Sequence, residues 1–118
     1  MKQRVRAVSY LAKAEFAIKN GSYDLAALPS GAEVVKCALE VVGEVTTAKA
    51  FVGFKDEKDT NFFLNDIDLK NNKYSTSAKC CTVSDTKIIS AKIADALANA
   101  KGVLRVIYFL PSETEVEY

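Results

Sequence analysis

The sequence predicts an all-β fold, a single-domain β-sandwich or jelly-roll-like domain of about six to eight short strands. Short segments rich in β-branched and aromatic residues recur along the chain, and turn signals separate them at regular spacing. The length of 118 residues is enough for one hydrophobic core and too short for two. A content of 49% hydrophobic and 26% charged residues is that of a folded globular domain. We therefore treat residues 1–118 as one domain.

Residues 1–20 are interpreted as an arm or an extra strand of this domain. Apolar residues at every second position, with charged residues between them, are typical of a half-buried strand; these apolar residues are Tyr10, Ala12, Ala14, Phe16 and Ile18. A helix with positions 5, 8, 12 and 16 on its apolar face also fits, so the residues leave strand and helix open here. Asn20-Gly21 predicts a turn directly afterwards, because both residues tolerate positive φ.

The middle of the chain is predicted to alternate between strands and turns. Leu28-Pro29-Ser30-Gly31 is a turn signal, and valine-rich or Ser/Thr-rich segments follow it. In chain order, we expect a turn at 28–31, a strand over 32–42, an interruption at 43–47, a strand over 48–55, a charged loop at 56–61, a loop at 62–69 that places apolar side chains in the core, and a strand over 74–83.

Residues 86–100 are the hardest stretch to assign. Ile89, Ile93 and Leu97 share one helical face with several alanines, and Asp85 is placed as a helix cap. The β-branched residues up to Ile93 suit a strand equally well, so both assignments stay open. Residues 103–110 are apolar on both parities except at Arg105, which predicts a strand covered on both faces. Residues 111–118 are predicted to be an acidic tail.

The residue content argues against an enzyme or a metal site. The sequence has no His, the usual general base near neutral pH and the commonest metal ligand, and its three cysteines are too few for a four-Cys zinc site. The acidic residues at 56–68 lack the spacing of a calcium loop. We therefore predict no catalytic, cofactor or metal residues. A net charge of +1 and the lack of a long apolar run also predict no nucleic-acid or membrane partner.

The three cysteines predict buried or half-buried thiols. Cys80 and Cys81 are adjacent, so on a strand they would point to opposite faces and would be poor partners for each other. Whether Cys37 pairs with Cys80 or with Cys81 stays open. The N-terminus does not have the pattern of a signal peptide, so we expect folding in a reducing cytoplasm.

The two ends of the chain carry opposite charge. Residues 1–20 carry a net charge of +4, whereas the last six residues carry −3 and include no basic residue. A basic arm that contacts an acidic protein surface is the interpretation we favour over nucleic-acid binding, because few aromatic residues lie near the basic ones. The candidate partner-contact residues are Lys2, Arg4, Arg6, Tyr10, Phe16, Ile18, Glu113, Glu115 and Glu117.

A series of short motifs from Leu28 to Tyr108, about two thirds of the chain, resembles one family. In order these are Leu28-Pro29-Ser30-Gly31-Ala32 with Val34-Val35, then Val52-Gly53 before a charged loop, Phe63-Leu64 and Asp68-Leu69, the Thr-rich Thr82 to Ile88, and a Gly-led strand from Gly102 to Tyr108. Their order and spacing resemble the capsid cement (decoration) proteins of tailed bacteriophages, Helicobacter phages among them. The sequence departs from this pattern in its longer N-terminal segment and at 94–100.

The resemblance implies a β-sandwich and favours a strand over 86–93. It also implies a non-enzymatic protein of the virion, made in the host cytoplasm, that binds the outer face of an icosahedral shell and braces neighbouring major capsid subunits. A homotrimer is the assembly expected from it, with the N-terminal segment lying across an adjacent subunit. The alternatives are a phage head fibre or receptor-binding module, or a small non-viral binding or inhibitor domain. A carbohydrate-binding sandwich would normally expose Trp or Tyr on a concave face, and of these two residue types the sequence lacks Trp.

Overall fold

The structure is a computed structural model that describes residues 2–55, 58, 60–110 and 113–117; for residues 2, 4 and 113–117 it describes the backbone only. These residues form strands and turns, with no helix among them. The strands are β1 (Lys2–Arg6), β2 (Ser9–Ala17), β3 (Gly21–Leu28), β4 (Glu33–Phe54), β5 (Leu64–Asp68), β6 (Tyr74–Thr76), β7 (Cys81–Thr82), β8 (Lys87–Phe109) and β9 (Glu113–Glu117). The prediction of an all-β domain is confirmed.

Two long antiparallel strands form the axis of the molecule. β4 has 22 residues and β8 has 23, and they pair from Glu33 opposite Phe109 to Phe54 opposite Ile89. The molecule is accordingly elongated, with extents of 54 × 24 × 19 Å. The expected strands over 32–42 and 48–55 are therefore one strand, and those over 86–93 and 103–110 are another. The helix alternatives at 4–18 and 86–100 are wrong.

The interruptions expected within these strands are bulges. The register of β4 shifts between Val34 and Lys36 and twice more between Val45 and Lys49, and pairing with β8 resumes after each shift. A bulge adds a residue to one strand and bends it without ending the ladder. Gly43 pairs in register with Ala100 just before the second shift; its φ is 118°, and a methyl group on it would lie 2.6 Å from the carbonyl oxygen of Asn99. The turn-like residues of the sequence thus bend the long strands.

The two long strands are the central strands of one seven-stranded sheet. On the edge of β8 away from β4, β3 pairs with the first half of the strand and β2 with the second. On the edge of β4 away from β8, β7, β6 and β5 pair in turn. The predicted turn at Asn20-Gly21 connects β2 to β3, where the Asn20 side-chain oxygen accepts a hydrogen bond from the Ala96 amide at 2.8 Å. Both long strands therefore have neighbours on each side over much of their length.

One face of the sheet carries the core. Buried residues occupy alternate positions of the long strands, and the bulges keep them on the same face after each register shift. Representative members are Cys37, Leu39, Val52, Ile89 and Leu104, each at most 2% exposed. The segment at 62–69 adds buried Phe63, Leu64 and Leu69, as expected, although part of it pairs as β5. Residues 102–110 are all buried or half-buried, but Arg105 and Ile107 line an open groove on the face opposite the core, so the predicted covering of both faces is only partial.

All three cysteines are free thiols. Cys37 is buried in the core, Cys81 is half-buried and Cys80 is exposed. Burial, helped by the neighbouring Cys81, raises the pKa of Cys37 from 9.0 to about 12. The Cys37 thiol therefore behaves as a neutral core side chain.

Candidate interaction surfaces

The two ends of the chain pair with each other. β1 and β9 form a two-stranded antiparallel sheet, which we call the terminal arm. It continues the pairing of β2 with β8: Ser9 lies opposite Phe109, the Leu110 amide donates to the Val8 carbonyl at 2.9 Å, and Arg6 lies opposite Glu113. Because β4 begins at Glu33, opposite Phe109, the seven-stranded sheet ends where the arm begins.

The base of the arm is fixed to the turn between β3 and β4. The Arg6 guanidinium donates a hydrogen bond of 2.7 Å to the Gly31 carbonyl. That turn is itself held, since the Gly31 amide donates to the Val83 carbonyl at 2.8 Å and the Ser30 hydroxyl to the Ser84 carbonyl at the same distance. Val5 and Val8 stay 39% and 41% exposed. The arm thus has an anchored base and no core of its own among the described side chains.

The register of the arm places basic residues opposite acidic ones. Lys2 lies opposite Glu117, Arg4 opposite Glu115 and Arg6 opposite Glu113. Opposite charges at directly facing positions stabilise an antiparallel pair by roughly 0.2–1 kcal/mol each. The acidic tail has its basic partner at the other end of the chain. The sequence signal was available: both segments are five residues long and carry a charge at every second position.

A second surface lies on the face of the sheet opposite the core. Residues aligned across β2, β8, β4 and β6 surround a shallow groove of about 260 Å³. We call this surface the outer-face patch; it comprises Leu11, Lys13, Lys36, Glu40, Tyr74, Arg105 and Ile107. Leu11 is 57% exposed and Tyr74 is 77% exposed, values high enough to offer apolar contact area to a partner.

An ion pair forms the centre of the outer-face patch. The Arg105 guanidinium donates a 2.7 Å hydrogen bond to the Glu40 carboxylate, from the diagonal position across the two strands. This bond is the main reason that the pKa of Glu40 is lowered; a hydrogen bond from Tyr74 and the charge of Lys13 lower it as well. With Glu40 occupied in this way, Lys13 and Lys36 leave the patch with a positive balance.

The candidate contact residues from the sequence divide between these surfaces and the core. The charged residues at 2, 4, 6, 113, 115 and 117 come together in the terminal arm. Tyr10 is 49% exposed and stacks on Tyr108, with ring centroids 5.8 Å apart. Phe16 and Ile18 are 8% and 1% exposed and belong to this chain's own core, where the Phe16 ring covers Gly102.

Sequence reasoning missed the outer-face patch. Leu11 gave a usable signal, because it is a large apolar residue among the alternate positions of β2 that otherwise hold Ser9, Lys13, Glu15 and Ala17. Arg105 stood out as the one charged residue in an apolar strand, but nothing in the sequence linked it to Glu40 and Tyr74, since only the pairing of three strands brings them together. Within the described residues there is no cluster of three or more His, Cys, Asp or Glu placed to hold a metal. Nor do they include a helix long and apolar enough to span a membrane.

Comparison with known proteins identifies similar chains in three phage capsids. No protein-family model matches the sequence, and a search of curated proteins finds no match. A chain in the acidic stable capsid structure of Helicobacter pylori bacteriophage KHP30 is 54% identical, with 100% of both chains covered and a TM-score of 0.89. A chain of the cyanophage Pam1 capsid asymmetric unit is 16% identical, with 87% of this chain and 85% of that chain covered and a TM-score of 0.71. A chain of the capsid of Ralstonia phage GP4 is 14% identical, with 92% and 88% covered and a TM-score of 0.64. The last two similarities concern the fold alone.

Proposed function

This chain belongs to a family of phage capsid proteins, the one that includes the matched chain of the KHP30 capsid, and on this premise we propose that it is a cement protein. In this role it binds the outer face of an icosahedral phage capsid and braces neighbouring major capsid subunits. The observation that carries the proposal is the 54% identity over the full length of both chains. The chain is a structural component of the virion, and its function needs no catalytic step.

The shape of the molecule supports a bracing role. The molecule is 54 Å long and only 19 Å thick, so a chain lying flat has a long footprint. A protein that touches two or three subunits lets them separate only when several contacts fail together, which is the physical basis of avidity. We propose a homotrimer as the bound form, since a trimer multiplies these contacts again.

The two exposed surfaces supply the proposed contacts. The outer-face patch offers Leu11 and Tyr74 beside uncompensated lysines, which fits an acidic capsid segment with an apolar side chain. The terminal arm, with Tyr10 near its base, offers the charged residues expected from the sequence. Phe16 and Ile18 serve the core and take no part in this proposal.

Co-sedimentation with phage heads that lack this protein tests the proposal. We expect the purified chain to sediment with the heads and to saturate at a stoichiometry close to that of the major capsid protein. A head fibre or receptor-binding module would instead saturate at a few copies per head. Failure to sediment with the heads at any concentration would contradict the cement role.

A matched pair of variants tests the contact surface. Leu11→Asp places a charge in the outer-face patch, and Leu97→Asp makes the same change on β8, 63% exposed and outside the patch. We expect Leu11→Asp to weaken sedimentation with heads by at least about tenfold, since one buried charge costs more than 1.4 kcal/mol. Leu97→Asp should bind as the parent does. Equal behaviour of the two variants would remove the patch from the contact.

A further inference from the structure

The terminal arm has two unused strand edges. In the described residues β1 pairs only with β9 and β9 only with β1. A strand edge presents a row of unpaired backbone groups, which can pair with a strand of another chain. An isolated two-stranded sheet is marginally stable, and additional strands stabilise it. The arm therefore gains stability from any strand that extends it.

Charge distinguishes the two edges. The β1 edge carries Lys2, Arg4 and Arg6, and the β9 edge carries Glu113, Glu115 and Glu117. Edge-to-edge pairing of two β1 strands, or of two β9 strands, would place like charges opposite each other, which is destabilising. Pairing of β1 with the β9 strand of another copy continues the alternation of basic and acidic strands that the arm already has. The edges are therefore complementary between copies of the same chain.

We propose that the terminal arm is a self-assembly seam in which β1 of one copy pairs with β9 of the next. The inference rests on the proposed function in one respect, that copies of this chain associate. It specifies the arm as the contact surface and a head-to-tail arrangement of the copies. A two-fold dimer contact uses the same patch on both subunits, so it would bring like edges together. A contact between unlike edges runs head to tail, and it closes a ring of three or more copies when the rotation between copies allows closure, as the proposed trimer requires.

The anchored base of the arm makes this geometry feasible. The Arg6 hydrogen bond to Gly31 fixes the arm to the body, and the Leu110–Val8 bond continues the ladder into it. The arm therefore has a defined direction relative to the body before a second copy arrives. The ordering cost of association is correspondingly lower than for two free tails.

A charge-reversed arm tests the seam. The variant K2E/R4E/E115K/E117K keeps opposite charges opposite each other within one chain and leaves the net charge unchanged. It should fold, and assemble with itself, as the parent does. In a seam between the variant and the parent, two of the three facing charge pairs consist of like charges. In native mass spectrometry of an equal mixture at low salt, we expect mixed rings to be depleted at least about fivefold relative to statistical mixing. High salt should restore mixing, because ions screen exposed charges.

The control variant reverses an ion pair outside the arm. Glu15 and Lys101 lie 3.5 Å apart on β2 and β8, each about half exposed, and E15K/K101E should mix statistically with the parent. Three results would contradict the proposed seam. The arm variant could mix statistically with the parent, the parent could stay monomeric at every concentration, or the largest assembly could be a dimer. The proposal would also be contradicted if the arm variant had the circular dichroism spectrum of the parent and yet did not assemble. The mixing assay contains no capsids, so a negative result there contradicts the seam and says nothing about binding to heads. A failure to bind heads, in turn, contradicts the cement role and says nothing about the seam.

Discussion

The long-strand body and the terminal arm are both antiparallel pairings, and they differ in what stabilises them. In the body, β8 has a strand on each side, and the side chains on one of its faces are buried, with Ile89 and Val106 fully so. In the arm, each strand has one neighbour and Val5 stays 39% exposed. The body is therefore stabilised by burial of apolar area, whereas the arm has a backbone ladder whose register sets basic residues opposite acidic ones. Salt should weaken the arm and leave the body unchanged.

The largest expected effect comes from truncating a core side chain of the body. Leu104 is 1% exposed, and Leu104→Ala should lower the free energy of unfolding by about 2–5 kcal/mol, because it removes buried contacts and leaves a cavity. Val5→Ala in the arm should change it by less than about 0.5 kcal/mol. Urea denaturation followed by circular dichroism measures both. Equal losses would show that the arm has a core of its own.

A backbone substitution gives the next largest effect. Gly43→Ala should lower the free energy of unfolding by about 1–3 kcal/mol, because the positive φ disfavours alanine and the new methyl group meets the backbone of Asn99 and Ala100. Gly21→Ala is the control: Gly21 also has positive φ, but a methyl group there would lie 3.8 Å from the Tyr23 hydroxyl, at ordinary contact distance. Gly21→Ala should cost less. A smaller loss for Gly43→Ala than for Gly21→Ala would mean that the backbone around Gly43 and Ala100 relaxes to accept the methyl group.

The fold class could be predicted from the sequence because alternation and turn chemistry are local signals. The turn at 28–31 and the apolar segment at 62–69 were predictable for the same reason. The continuity of β4 and β8 was not, because Gly43, within the paired ladder, and Asp95, at a register shift, give the same local signal there as in a loop. Whether a strand continues through such a residue depends on the partner strand, which local sequence does not specify.

The interaction surfaces were predictable only in part. The charges of the arm were identified from composition, but their pairing joins residues at opposite ends of the chain, and no local pattern specifies it. Phe16 and Ile18 were expected at a partner surface, whereas alternation along β2 assigns them to the core face with Ala12. The outer-face patch depends on the register of three strands, so its charged centre could not be derived from the residues alone.

Stability should depend on pH mainly outside the range from about 5 to 8. The chain has no His, the lowered pKa of Glu40 moves that group to more acidic pH, and burial raises the pKa of Cys37 to about 12. A raised pKa means that the native state keeps a proton that the unfolded state releases, so this stability is present below pH 9 and is lost as pH rises from 9.0 towards about 12. Cys37→Ala should flatten that alkaline loss while lowering stability at pH 7. A midpoint near pH 6.5 in the parent would contradict the prediction.

The smallest expected effect concerns attachment of the arm to heads. Deleting residues 1–6 removes β1 and leaves β9 without its partner, so binding to heads should weaken more at low salt than at high salt. Deleting residues 113–118 should weaken it to a similar degree, because either deletion removes the two-stranded arm. Co-sedimentation over a salt series measures both. If the truncated chains bind as tightly as the full chain at every salt concentration, the arm plays no part in attachment.

The temperature at which heads release their DNA tests most directly whether this chain stabilises a phage shell. The comparison uses heads without the protein, heads saturated with the full chain, and heads saturated with the chain lacking residues 1–6. We expect the full chain to raise the release temperature the most and the truncated chain to raise it less at low salt, because contacts that bridge subunits must fail together before the shell opens. The same release temperature with and without the bound full chain would contradict the bracing role.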